Sequence, residues 1–275
     1  MRISHFAVIF SLIYSQYHSS EWGSITSLLS PTGIKVTLEN KVYASTAGGL
    51  LEFNPASDNF TSIKIEDGLL YLDLSTIEID KQERLWLGGA YPNGYLQIYD
   101  PDQGLVRKIT HLGISQIKII CIGEEIAFAV YKGATSNEIG ILEFILDNER
   151  LPIYKDYYND FSSESTITEI RDLDIFQDSI YVTTDQGVYS GNYKNGSLKT
   201  SQNWVRIFNG DSIKQYIPEL GLLISKGVIL QKKNNVWSEY YNDINGEIVQ
   251  ADFEEGRKIS ILTNYWYFEL DSTDL

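Results

Sequence analysis

The sequence predicts an all-β fold: a β-propeller of four-stranded blades, about six in number, with an N-terminal strand completing the last blade. Three observations predict it. A strand–turn–strand unit recurs along the chain, the recurrence has the spacing of propeller blades, and strand-favouring aromatics are abundant, with 19 Tyr, 11 Phe and 5 Trp in 275 residues.

The unit is seen first in "VYASTAGGLLEF", from Val42. It returns as "RLWLGGAYPNGYLQIYD", "EIAFAVYKGATSNEIGILEF", "SIYVTTDQGVYSGNY", "GLLISKGVILQ" and "KISILTNYWYFELD". Taking Val42, Leu85, Ile126, Ile180, Leu222 and Ile259 as equivalent, the steps are 43, 41, 54, 42 and 37 residues. Four-stranded blades recur at about 40–50 residues.

Each pair forms the second and third strands of a blade. An apolar run precedes each pair, at 34–38, 75–79, 117–122, 173–176, 213–217 and 249–253, and is expected to line the central axis. A more polar run with one wet face follows, as in "FTSIKI", "LVRKIT", "NWVRIF" and "NVWSEYY", and is expected at the outer edge. The sixth unit stops after three strands. The segment "EWGSIT" at 21–26 precedes any inner strand and is similar to the Trp-bearing outer strands. Placed on the last blade, it would close the ring.

Gly48 and Gly49 raise the question of a phosphate cradle. Such a loop needs a helix after it, with free amides at the helix N-terminus. A strand follows here, and Gly187 and Gly227 recur at the matching turn, with Gly94 and Gly140 after longer loops. Glycine is expected to serve the turn.

Residues 1–16 read as a secretory signal: Arg2, then the apolar run FAVIFSLIY, then Ser15 and Gln16. The run is too short to span a bilayer, which takes about 20 residues. Residues 17–275 are expected to form the propeller, as a whole or as a fragment of a longer multidomain protein. Cys121 has no partner cysteine and lies in an apolar strand, so a buried, inert thiol is expected.

A net charge of −15 opposes binding to nucleic acid or anionic membranes. Catalytic patterns are sparse. His5 and His18 lie in or beside the leader, which leaves His111 without a marked nucleophile. No Cys/His spacing suggests zinc, and "YDPDQG" reads as a turn rather than a calcium loop. No enzyme activity, metal or cofactor is expected, although paired carboxylates on one face would suffice for a glycosidase or a lactonase.

The stretch from about 40 to 90 resembles the two-component regulator propeller repeat. That pattern runs as a strand, T-x-x-GL, a "DGL" turn, then G-x-LWLGT. Thr46, Gly49, Leu50, Asp67, Gly68, Leu69, Leu85, Trp86, Leu87 and Gly88 match it, while Gly89 stands where Thr is usual. The likeness fades beyond residue 90. It implies a periplasmic sensor region of a hybrid histidine kinase, or a PorZ-like exported propeller associated with type IX secretion. Without a kinase segment or a membrane span, the resemblance favours the exported kind, a binding or assembly scaffold at the periplasm or cell surface.

Loops after outer strands and turns between second and third strands share one face of a propeller. On this assignment that face carries Tyr71, Asp73, Tyr91, Asn93, Tyr95, Tyr131 and Tyr265. Tyrosine offers a flat apolar ring and a hydroxyl, which suits a protein, peptide or saccharide partner.

Overall fold

The computed structural model describes residues 27–135, 138–242, 244, 246–254 and 258–271. The predicted closing segment at 21–26 and the predicted signal at 1–16 lie outside these residues.

The described chain forms six consecutive antiparallel sheets, each joining neighbouring strands in chain order. Blade 1 is β1 (Pro31–Val36), β2 (Val42–Thr46), β3 (Gly49–Asn54) and β4 (Asn59–Ile63). Blade 2 is β5 (Leu74–Ile79), β6 (Leu85–Gly89), β7 (Tyr95–Asp100) and β8 (Gly104–Ile109). Blade 3 is β9 (Ile114–Ile122), β10 (Ile126–Gly133), β11 (Ile139–Leu146) and β12 (Pro152–Tyr158). Blade 4 is β13 (Ile170–Phe176), β14 (Ser179–Thr184), β15 (Gly187–Asn192) and β16 (Trp204–Asn209). Blade 5 is β17 (Ile213–Ile217), β18 (Leu222–Ser225), β19 (Ile229–Lys233) and β20 (Val236–Tyr241). Blade 6 has three described strands, β21 (Ile248–Glu254), β22 (Lys258–Thr263) and β23 (Tyr267–Asp271). The only helical pieces among the described residues are two single 3₁₀ turns.

The expected second and third strands are all present. The middle strands of blades 2 and 3 are covered on both faces and read as nearly unbroken apolar runs; every residue of β6 is buried. Side chains from one blade meet the next in apolar clusters. Tyr43 and Leu50 pack with Ile77 and Leu85 between blades 1 and 2. Trp86 and Leu96 pack with Ile117 and Ala127 between blades 2 and 3. Phe128 and Ile141 meet Leu173 and Val182, Val188 meets Tyr216 and Leu223, and Leu222 and Ile229 meet Ala251 and Ile261. The core is therefore a set of seams between neighbouring blades.

The turn between second and third strands has one repeated chemistry. In blade 1 the buried Thr46 hydroxyl accepts from the Gly48 amide at 3.0 Å and donates to the Gly49 carbonyl at 2.8 Å. In blade 4 Thr184 does the same with the Gln186 amide and the Gly187 carbonyl, at 3.0 and 2.8 Å. Gly49 and Gly187 hold φ of 121° and 128°, and a Cβ there would meet the carbonyl oxygens of Ile63 and Phe208 at 2.8 and 2.1 Å. Glycine is needed to turn the chain against the outer strand.

Candidate functional face and axial cavity

Two places bring functional groups together: the face formed by the loops, and the cavity on the axis.

The loop face is built from its anchors. Strand β7 alternates Tyr95, Gln97 and Tyr99 toward one side, as a period of two requires. All three are buried and hold the β4–β5 connection. Tyr95 Oη donates to the Asp73 carbonyl at 2.9 Å, and Tyr99 Oη to the Asp67 carbonyl at 3.2 Å. The Gln97 amide accepts from the Leu70 N–H at 2.7 Å and donates to the Tyr71 carbonyl at 3.1 Å. The Tyr71 ring meets the Tyr95 ring edge-on at 4.9 Å. Gln97 was not among the residues expected from sequence. Its signal was a polar residue inside an apolar third strand, which demands a buried hydrogen-bond partner.

The expected binding residues divide into two groups. Tyr95 and Tyr131 are buried. Burial is the main reason both phenols are held well above their ordinary pKa. Tyr131 belongs to the seam between blades 2 and 3, and its hydroxyl lies 3.4 Å from Glu138 Oε1. Tyr71 and Asp73 are half-buried. Tyr91, Asn93 and Tyr265 stand exposed. The loop carrying Tyr91 is tied at its base, where Ala90 N–H donates to the Asp73 carbonyl at 3.3 Å and Gly94 N–H to the Ile114 carbonyl at 2.9 Å. Tyr265 follows Thr263, whose hydroxyl accepts from the Tyr265 and Trp266 amides at 3.2 and 2.8 Å. Trp266, next in the turn, is also exposed and was not anticipated. Asn264 fixes this turn to blade 6: its amide donates to the Glu247 carbonyl at 3.1 Å, and its Oδ1 accepts from Glu247 N–H at 2.9 Å. Rings on tied loops lose little freedom when they bind.

The axial cavity has a volume of about 510 Å³ and is lined by the inner strands of all six blades. Its cations are held by the protein. Lys35 pairs with Glu78 at 2.7 Å, and Lys214 pairs with Glu247 at 2.8 Å. Arg171 pairs with Glu169 at 2.8 Å and donates to the Ile213 carbonyl at 3.0 Å. Asp172 and Asp174, both on β13, have no ion-pair partner among the described residues. Asp172 accepts from Tyr216 N–H at 3.4 Å across the boundary with blade 5, and Asp174 accepts from Ile175 N–H at 2.7 Å. Burial raises both carboxyls from 3.8, Asp172 to about 7 with help from the Asp174 charge, and Asp174 to about 6. Cys121 is half-buried on β9, which lines the same cavity, and burial pushes its thiol up.

His111 is exposed in the β8–β9 connection. Among the described residues, no three His, Cys, Asp or Glu side chains are grouped to hold a metal ion.

Six antiparallel sheets sharing one axial cavity and joined by seams decide the architecture. The fold is a β-propeller. No family model matches the chain, and no curated protein matches it in sequence. Solved structures match it in fold. PorZ, a bacterial surface component of the type IX secretion system of Porphyromonas gingivalis, superposes with a TM-score of 0.61 at 13% identity, over 91% of this chain and 34% of PorZ. The extracellular domain of a hybrid two-component system of B. thetaiotaomicron gives a TM-score of 0.55 at 16% identity, over 90% of this chain and 34% of that one. Hsv2 of Kluyveromyces marxianus gives 0.54 at 12% identity, over 88% and 72%. The chain thus spans about a third of the length of the first two, and at these identities the likeness is one of fold. Among the described residues no helix is long and apolar enough to cross a membrane.

Proposed function

We propose that the protein is a non-catalytic propeller that binds a protein or saccharide partner through its loop face, acting as an exported scaffold in the periplasm or at the cell surface. The observation that carries this reading is the display of Tyr91, Asn93, Tyr265 and Trp266 on loops that the protein ties down from below. Exposed aromatics on fixed loops supply apolar area and hydrogen-bonding tips at low entropic cost. The fold shared with a surface component of type IX secretion supports export, and the net charge of −15 disfavours nucleic acid. A second reading is a ligand-sensing domain, favoured by the fold shared with the extracellular domain of a two-component system.

The test is capture of partners from a periplasmic and outer-membrane extract by the immobilised protein. The Tyr91→Ala/Tyr265→Ala variant should lose capture with its circular dichroism unchanged. Glu239→Ala, on the outer strand of blade 5, should retain it. Capture that survives the first variant and fails with the second would overturn the assignment of the face.

A further inference from the structure

The loop face and the face opposite differ in charge. The described connections of the loop face carry ten Asp and Glu against two Lys, Lys64 and Lys226. The β4–β5 connection supplies Glu66, Asp67 and Asp73, and the β12–β13 connection supplies Asp160, Glu164 and Glu169; four shorter loops supply one carboxylate each. The described connections of the opposite face carry eleven Asp and Glu against six Lys and Arg. All six of those cations, Lys41, Lys81, Arg84, Arg150, Lys194 and Lys199, pair with carboxylates. On the loop face, cations of the adjoining strands meet three of the ten carboxylates: Arg171 pairs with Glu169, Lys214 with Glu247, and Arg206 lies 3.8 Å from Glu164. A surplus of negative charge is therefore gathered on one side of the molecule.

The exposed rings of this face stand beside carboxylate-bearing residues. The Tyr91 loop is bonded to Asp73 through Ala90 N–H, and the Tyr265 and Trp266 turn is bonded to Glu247 through Asn264. Backbone amides fix the direction of other loop carboxylates. Asp67 Oδ2 accepts from Lys64 N–H and Asp160 Oδ2 from Ser201 N–H, each at 3.0 Å, and Asp185 Oδ1 accepts from Thr168 N–H at 3.2 Å. An ammonium or guanidinium group is attracted both to the face of an aromatic ring and to a fixed carboxylate. A neutral saccharide would use the rings and gain nothing from the charge.

Resting on the reading of the loop face as the binding face, we propose that its partner is a basic protein segment, whose Lys and Arg side chains lie over Tyr91, Tyr265 and Trp266 in the field of the loop carboxylates. The same field steers a cationic partner toward this face and repels a second copy of the acidic chain.

The test measures binding of a decalysine peptide to the full chain, with decaglutamate as the control. Decalysine is expected to bind and decaglutamate is not. Affinity should fall about tenfold or more between about 0.1 and 1 M salt, as the screening length shrinks from about 10 to about 3 Å. Two triple variants of equal net charge then locate the contact, all at exposed positions. Glu66→Gln/Glu164→Gln/Asp211→Asn, on the loop face, should weaken binding about tenfold, and Asp58→Asn/Asp102→Asn/Glu125→Gln, on the opposite face, should change it less than about twofold. Equal losses would mean diffuse attraction to an acidic protein and would overturn the proposal, as would the absence of decalysine binding. Capture from the extract separates this proposal from the reading beneath it. A partner lost with Tyr91→Ala/Tyr265→Ala but retained by the loop-carboxylate variant overturns the basic segment and keeps the face. A partner that survives both variants overturns the face itself.

Discussion

At the scale of single residues, Asp80 shows how one side chain serves several elements. Its Oδ1 accepts from the Gln82 and Arg84 amides at 2.9 and 3.0 Å and so shapes the β5–β6 turn. Its Oδ2 lies 2.7 Å from the Arg84 guanidinium and accepts from the indole of Trp86 at 3.1 Å. Arg84 then donates to the carbonyls of Glu149 and Arg150 in blade 3, at 3.0 and 3.1 Å. Removing one partner of a buried pair leaves the other charge unmet. Asp80→Ala is expected to cost about 3 kcal/mol in urea unfolding, and Arg84→Met should cost less than Asp80→Ala. An Asp80→Ala loss under about 1 kcal/mol would mean that Arg84 finds water or another acceptor. Sequence pointed to Trp86 through the LWLG motif. The role of Asp80 was hidden, because an aspartate in a turn reads the same whether or not a distant blade leans on it.

At the scale of elements, legibility followed periodicity. Strands covered on both faces gave unbroken apolar runs, and all twelve second and third strands stand where those runs placed them. The outer strand of blade 3 was harder to read. In "PIYKDYY" (β12), polar and aromatic residues share the exposed positions, and no Trp marks the strand. The division within the loop face follows the same physics. Tyr95 and Tyr131 lie on strands, where neighbouring blades cover them, while Tyr91 and Tyr265 lie beyond the strand ends. A single sequence shows aromatic content at a turn but not the strand's last covered position. The turns themselves can be tested. Gly187→Ala would drive a Cβ to 2.1 Å from the Phe208 carbonyl oxygen at positive φ, and should cost about 2 kcal/mol in denaturant unfolding. Gly196→Ala has open space around its Cβ and should be nearly neutral. Equal effects of the two would remove strain as the reason for glycine in the turn.

At the scale of the whole molecule, the axis carries the pH dependence that the structure predicts. Asp172 and Asp174 face the cavity together, with the Cys121 thiol on the β9 wall, Lys214 on β17 and the Glu219 charge beyond it. The folded state raises Asp172 from 3.8 to about 7 and Asp174 to about 6, so it binds protons more tightly than the unfolded chain does. Their contribution is fully present below pH 3.8 and is lost as pH rises through about 6 to 7. Asp172→Asn should therefore gain stability relative to wild type as pH is raised from 5 to 8, by roughly tenfold or more in the folding constant. A difference that does not change over that range would place the carboxylate in contact with water or a cation. The six-blade count was legible because the repeat spacing survives in every unit. The charge of the loop face was not, because it gathers loops far apart in sequence.

The seams that join neighbours give this ring a one-dimensional stability. Each blade leans chiefly on the two beside it, so the cost of damage stays within about three blades and does not spread through a shared centre. Among the described residues, apolar clusters flank blades 2 to 5 on both sides and blades 1 and 6 on one. A chain built this way tolerates drift in its outer strands and exposed loops so long as the seam residues keep their size. The same kind of seam serves every pair of neighbours it joins, an economy that a protein folded around a single common core does not have.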